Sequence, residues 1–291
     1  MSKKIDNLAW DRYYTARSAT NGKVQWYSEE DIKQISQRYG IDQPFAMFIW
    51  SRTEHSVRTY ELMEIKTGYR VLELGCGGGA FTAGMILGNR EKQFQVSTTD
   101  FSPLSVERTR QNLTSLGIED RCQFIVADAT ELPFPDNLFD IVIAPSVIEH
   151  IPEQRKAISE MSRVCRMGGR IIISTDNTSG GFATFGILTF LRWGEKILRR
   201  MRVLRTPAMY CISNTPSEIK RKFKNAGLEI SFFEFTHFSV PFFRKILDVI
   251  KLCPNQLKAL AYNLFVVLES RSRKSRYGCL HPMFIIIGRK G

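Results

Sequence analysis

The chain has 291 residues, of which 43% are apolar and 24% charged; this suits a globular protein with a full hydrophobic core and excludes wholesale disorder, a collagen-like repeat and a coiled coil. The formal net charge is +12, and it is lopsided: residues 176–291 hold 20 Lys+Arg against 7 Asp+Glu, while the remainder is close to neutral. That asymmetry points to an anionic partner (a membrane surface, a nucleic acid or a phosphorylated substrate) or to a solvated basic face.

Residues 1–60 are polar and aromatic, with Trp10, Tyr13, Tyr14, Trp26 and Trp50 among them. The opening Met1-Ser-Lys-Lys has no apolar core, so no secretory signal is expected. Ser28-Glu-Glu-Asp supplies an N-cap and an acidic first turn, and the region is expected to form an N-terminal helical cap. A second domain is expected over 61–291. In it, apolar strands at 71–74, 94–99, 122–127, 139–144 and 170–174 alternate with helices such as 105–116 and 153–166. The helices are predicted to stop at Gly117 and at Gly168-Gly169. Short, continuously apolar strands between helices imply an α/β fold, a doubly wound, mostly parallel sheet with helices on both faces. A helix at 216–226 precedes a strand at 229–235, and a last strand runs over 283–288. Two helical insertions, about 178–210 and about 239–280, are expected to decorate this sheet.

The first strand runs into Gly75-Cys-Gly77-Gly-Gly79-Ala80. Glycines let the backbone turn sharply and approach a ligand, and the helix that follows offers unpaired N–H groups. The spacing alone also fits the dinucleotide fingerprint of dehydrogenases. Three acidic positions separate the readings: Glu73 inside the strand end, Asp100 at the end of the second strand, and Asp128-Ala129 after the third.

Together, Glu73-x-Gly75-x-Gly77-x-Gly79, Asp100-Phe-Ser-Pro103, Asp128-Ala-Thr-Glu-Leu-Pro-Phe-Pro-Asp136 and Val147-Ile-Glu-His150-Ile-Pro152 resemble the class I S-adenosylmethionine-dependent methyltransferases. The similarity is to the small-molecule type that includes ubiquinone/menaquinone methyltransferases, and it covers about 69–174. The resemblance implies a seven-stranded sheet ordered 3-2-1-4-5-7-6 with its last strand antiparallel, and S-adenosyl-L-methionine as cofactor. It implies that Gly75, Gly77 and Gly79 pack on the methionine moiety, with Glu73 supporting the loop or meeting the amino group through water. Asp100 would hold the ribose hydroxyls and Phe101 would flank the adenine. Asp128 would accept from the adenine amino group, Ala129 would add a backbone contact, and Ser146 would lie near the sulfonium. Each has a structural alternative: Asp100 as a helix N-cap, Asp128 as a turn residue. Asp140 is read as a solvated strand start.

The sulfonium is already an activated methyl donor, so a dedicated base is optional. His150, after the fourth strand, is the candidate base; its alternative is a solvent-facing helix start. Tyr14 on the N-terminal cap and His237 after the aromatic run 232–238 are candidate substrate contacts, with plain packing as the alternative. The six cysteines show no CxxC or finger spacing, so reduced thiols and no metal are expected.

Phe190, Trp193, Ile197, Met201 and Leu204 recur at helical steps, with Arg192, Lys196, Arg199 and Arg202 on the other side. This basic amphipathic segment, 185–205, suits an anionic membrane surface, and it suits equally a cap over a substrate pocket. The cluster Arg271-Ser-Arg-Lys-Ser-Arg276 adds to the same charge. Nucleic acid is disfavoured, because no RNA-binding module is present and the basic residues alternate with large apolar ones. No apolar run reaches the roughly 20 residues of a membrane span, so the expected location is cytoplasmic, with peripheral attachment to the membrane. The leading expectation is a methyltransferase acting on a hydrophobic or lipid-like small molecule. Two alternatives stay open: an RNA or protein methyltransferase docking through the basic region, and a non-catalytic Rossmann-type nucleotide-binding protein.

Overall fold

A computed structural model describes residues 58–176, 212, 214–236 and 283–291. The domain division at residue 60, the two insertions, Tyr14, His237 and the segment 185–205 lie outside the described residues, wholly or in their greater part.

Seven strands form one sheet: β1 (Arg70–Leu74), β2 (Gln95–Asp100), β3 (Cys122–Val126), β4 (Phe139–Pro145), β5 (Cys165–Asp176), β6 (Leu228–Thr236) and β7 (Met283–Lys290). Their order is β3-β2-β1-β4-β5-β7-β6. Strand β7 runs antiparallel to both β5 and β6, and the pairs among β1 to β5 are parallel. Order and directions are those expected. Among the described residues, four helices accompany the strands: α1 (Ala80–Leu87), α2 (Pro103–Ser115), α3 (Gln154–Val164) and α4 (Pro216–Asn225). The described residues open on a further helical turn over 58–63. None of the helices among the described residues is long and apolar enough to cross a membrane.

Alternation along the strands divides one apolar run between two cores. Ile171 and Ile173 pack with Leu72, Leu74, Val142 and Phe284 against Ile158 and Met161 of α3 and Phe223 of α4. Ile172 points the other way, to Val71, Ile141, Ile143 and Ile285, beneath Ala83 and Ile86 of α1 and Met63. A sheet covered on both faces therefore needs no polar residue in mid-strand, and each such side chain contributes about 2 kcal/mol of burial.

Local signals set the helix starts. Ser102 caps α2 by accepting from the Ser105 N–H, with Pro103 in the first turn. Thr215 and Glu218 form a reciprocal capping box on α4. Helix α3, expected to reach Arg166, stops at Val164, and β5 begins at Cys165 instead of after the two glycines. The reason lies in pairing: Cys165 takes up register with Phe139, and a bulge separates that pair from Ile141–Arg170. Asp140 corrects a second expectation. It is not a solvated strand start but a half-buried acceptor, taking the Arg166 Nε–H at 2.6 Å and the Arg70 backbone N–H at 2.8 Å.

Asp176, Met283 and Thr236 stand side by side at the strand C-terminal edge of β5 and β6. Strands β5 and β6 therefore end, and β7 begins, at one rim, where Ile212 and Asn214 are also bonded to Glu149 and Thr175. It is the rim on which β1 delivers the glycine loop.

Candidate functional site

The loop from Gly75 to Gly79 is held through its own backbone groups, by main-chain partners and by side chains from neighbouring elements. Gly75 and Cys76 both donate their N–H to the Thr99 carbonyl, at 2.7 and 2.9 Å, and Gly79 donates to the Cys76 carbonyl at 2.8 Å. The geometry requires glycine at Gly75: its φ is +75°, and a Cβ there would stand 2.2 Å from Cγ2 of Val147. Gly77 and Gly79 are also left-handed. Gly79 is the N-cap of α1 and provides no side-chain cap. The first N–H groups of α1 therefore face the loop without a side-chain acceptor, the arrangement that favours an anionic or carboxylate group.

Asp100 ties the loop to the next helix. Its Oδ2 accepts from the Gly77 N–H and its Oδ1 from the Ser102 N–H, both at 2.9 Å. The cap of α2 is Ser102, so Asp100 is not an N-cap; its carboxylate lies half-buried between loop and helix. From α2, Thr109 Oγ1 donates to the Gly77 carbonyl at 3.3 Å and Asn112 Nδ2 to the Gly78 carbonyl at 2.8 Å. Sequence reasoning passed over both residues. Their spacing from the glycines, 32 and 34 residues, carries no motif.

Glu73 lies beneath the loop and is fully buried. Its Oε2 accepts from Thr82 Oγ1 at 2.6 Å and Thr98 Oγ1 at 2.9 Å. These bonds tie the Glu73 carboxylate to α1 and to β2. Burial pushes its carboxyl up to about 7, Asp100 adds to the rise, and the two threonine hydroxyls oppose it. Burial also pushes the Cys76 thiol far above its usual range, with Asp100 and Glu73 adding to the effect. Both effects disfavour the thiolate at Cys76.

The remaining expected residues sit along the same rim. Asp128 follows β3 and uses Oδ1 to accept from both the backbone N–H and the hydroxyl of Thr130, each at 2.8 Å. It thus shapes its own turn, the alternative weighed for it, with Oδ2 left outside that pair of bonds. Ala129 packs on the core beside it, and Phe101 is half-buried after β2. Ser146 is exposed at the end of β4, left-handed with φ 53°, and donates its N–H to the Ser174 carbonyl at 2.8 Å. His150 closes the 3-10 turn Ile148–His150, half-buried, with its N–H on the Val147 carbonyl.

Next to His150 is a buried polar network that sequence reasoning missed. Thr175 Oγ1 donates to Glu149 Oε2 at 2.9 Å, and the Glu149 carbonyl accepts from the Ile212 N–H at 2.6 Å. Asn214 reaches Thr175 at 3.5 Å, and Lys222 Nζ bonds both Gln154 and Asn214. Burial lowers the Lys222 ammonium below its usual range. The network joins both ends of the 177–211 stretch to the turn that follows β4.

Comparison with known proteins agrees with this arrangement. Residues 65–231 match the model of the family described as "Methyltransferase domain". A phosphatidylethanolamine N-methyltransferase of Cereibacter sphaeroides is 38% identical over 106 residues, which cover 36% of this chain and 50% of that protein. The ubiquinone/menaquinone biosynthesis C-methyltransferase UbiE of Yersinia pestis is 32% identical over 175 residues, 58% of this chain and 66% of that one. The chain thus spans half to two thirds of these curated relatives. The geranyl diphosphate C-methyltransferase of Streptomyces coelicolor, solved with Mg2+, geranyl diphosphate and S-adenosyl-L-homocysteine, superposes with a TM-score of 0.57 at 13% identity, covering 86% of this chain and 83% of that one. The family match extends over more than half of the sequence, and the chain belongs to the methyltransferase-domain family.

Proposed function

We propose that this chain transfers a methyl group from S-adenosyl-L-methionine to a hydrophobic or lipid-like small molecule. The observation that carries the reading is the Asp100 carboxylate joined to the Gly77 N–H, at the mouth of a glycine loop that opens an uncapped helix. The donor set fits the cofactor. A Cβ-free loop with N–H donors suits the methionine end, and acidic residues at the ends of β2 and β3 suit a ribose diol and an adenine amino group.

In this reading Gly75, Gly77 and Gly79 admit the methionine moiety, and Asp100 accepts from the ribose hydroxyls. Phe101 covers the adenine, Asp128 Oδ2 accepts from its amino group, and Ala129 adds a backbone contact. Ser146 borders the sulfonium. The cofactor, when bound, supplies an activated methyl group. The chain aligns the acceptor in line with it, excludes water, and takes up the acceptor's proton at His150 where the acceptor is an acid. Tyr14 and His237 contact the acceptor. The basic amphipathic segment 185–205 attaches the protein to an anionic membrane surface.

The names of relatives support the acceptor class: they include a phosphatidylethanolamine, a tocopherol and a ubiquinone/menaquinone methyltransferase. Incubation with methyl-labelled S-adenosyl-L-methionine and cell extract tests it. Label in the organic-soluble fraction is expected; label confined to nucleic acid or protein would overturn the acceptor class. S-adenosyl-L-methionine is expected to raise the melting temperature, and NAD to leave it unchanged. Sedimentation with anionic vesicles at low salt tests the membrane surface, and absence of binding removes it.

A further inference from the structure

We propose that Glu73 is a specificity-determining residue: through the charge of its buried carboxyl beneath the glycine loop, it favours the cationic cofactor over the neutral-sulfur product. The inference rests on the reading that the loop holds S-adenosyl-L-methionine.

The geometry is that of a carboxyl lacking a counter-charge. Glu73 has no exposure to solvent. Oε2 takes both threonine hydroxyls, whereas Oε1 is buried with no hydrogen-bond partner. A bare carboxylate oxygen in an apolar interior is costly unless a cation offsets it. The buried Glu234 is better provided, receiving a two-pronged ion pair from Arg58.

Among the described residues, the surroundings of Glu73 hold no such cation. Helix α1 above it, Ala-Phe-Thr-Ala-Gly-Met-Ile-Leu, has no charged residue. Its partner on β4 is Ile143. From β2 it meets Thr98 and feels Asp100, a like charge. Cys76 in the loop and Cys122 on β3 are the other titratable groups it acts on, both acids with thiols pushed up by burial. Tyr60, on the turn that packs over this core, spends its hydroxyl on the Phe81 carbonyl. Asp100, Cys76, Cys122 and Tyr60 are all acids, so none stabilises an ionised Glu73.

A positive group held by the loop would provide the missing charge. The cofactor and its demethylated product share their amino, carboxylate and nucleoside groups and differ by one charge at sulfur. At an effective dielectric near 20, a unit charge within about 10 Å of the carboxyl changes affinity by about tenfold. The sign follows from the position of the carboxyl near 7. Below that pH the free protein holds a proton on Glu73, and binding the sulfonium expels it to solvent. Affinity for S-adenosyl-L-methionine therefore rises as pH is raised toward 7 and then levels, while that for S-adenosyl-L-homocysteine, which shares the ammonium but lacks the sulfonium, rises less. Discrimination against product at neutral pH would then come from the protein's own interior charge.

Titration calorimetry of the full chain with each ligand between pH 5.5 and 7, in two buffers of different ionisation heat, reads both affinity and protons. The expected result is greater proton release on binding S-adenosyl-L-methionine than S-adenosyl-L-homocysteine, with the preference for the former growing about tenfold across the range. E73Q should flatten both. T82V keeps the carboxyl but removes a donor that lowers it, so the profile should move to higher pH; this variant keeps the test alive if E73Q folds poorly. Identical pH profiles for the two ligands, or a profile retained in E73Q, would overturn the inference. Binding of neither ligand at any pH would remove the cofactor reading itself, and this inference with it.

Discussion

Around β1 and β2 the rim of the sheet is a loop that offers main-chain groups, bonded by Thr99, Asp100, Thr109 and Asn112; around β4 and β5 it is held largely by side chains bonded to one another and drawn from distant parts of the chain. In the first region Thr99, Cys76 and Gly77 contribute main-chain groups, and Asp100 closes the arrangement. In the second, Glu149, Thr175, Asn214, Gln154 and Lys222 come from β5, two helices and the segments between them. A backbone-built loop constrains sequence by what it excludes, namely Cβ atoms, and so leaves a recognisable spacing. A side-chain network tolerates many donor and acceptor types as long as each is satisfied, and so leaves no fixed spacing. The difference suits a division of labour in which one half holds a constant cofactor and the other a variable acceptor.

G75A should have the largest effect. It combines a left-handed φ with a Cβ 2.2 Å from Val147, and together these are expected to cost about 3–5 kcal/mol and abolish cofactor binding. Val147 belongs to the other half, so G75A combined with V147A should recover part of the loss in calorimetric melting. No recovery would show that backbone strain, not contact between the halves, dominates.

D100A comes next. It removes acceptors for the Gly77 and Ser102 N–H groups as well as for the ligand, and about 100-fold weaker binding of S-adenosyl-L-methionine is expected by calorimetry. Full activity in D100A would refute the site.

E149A probes the opposite half. Leaving Thr175 without its buried acceptor should lower unfolding stability by about 2 kcal/mol in a denaturant titration, yet change cofactor affinity by less than about threefold. If cofactor affinity falls as far as in D100A, the two halves are one unit and the contrast fails. H150A should be the mildest: turnover lowered by about tenfold with cofactor affinity intact, as measured in single-turnover assays.

The apolar strands and the glycine loop were legible in the sequence, because each depends on residues close together along the chain; the strand order followed from the family resemblance, and the caps at Ser102 and Thr215 came only with the structure. Boundaries were missed where pairing overrode a local signal, as at Gly168-Gly169, where β5 runs through residues expected to end a helix. Asp140 was misread because its partners, Arg70 and Arg166, arrive from β1 and β5. Thr82, Thr98, Thr109 and Asn112 were invisible as site residues, since a threonine under a glycine loop looks like any other until a sheet and a helix bring it there.

Hydrophobic periodicity marked a doubly wound sheet, and the glycine spacing with its acidic strand ends carried the resemblance to the family, because both record local backbone requirements that recur wherever the same turn is made. The charge states and partners came only from folding. Glu73 is a plain glutamate in the sequence; burial under α1 is what raises its carboxyl to about 7. Glu149 is likewise an ordinary acid until Thr175 and Ile212 close over it. Desolvation and long-range pairing depend on how the whole chain excludes water, and that is a property of the packed structure rather than of any short segment.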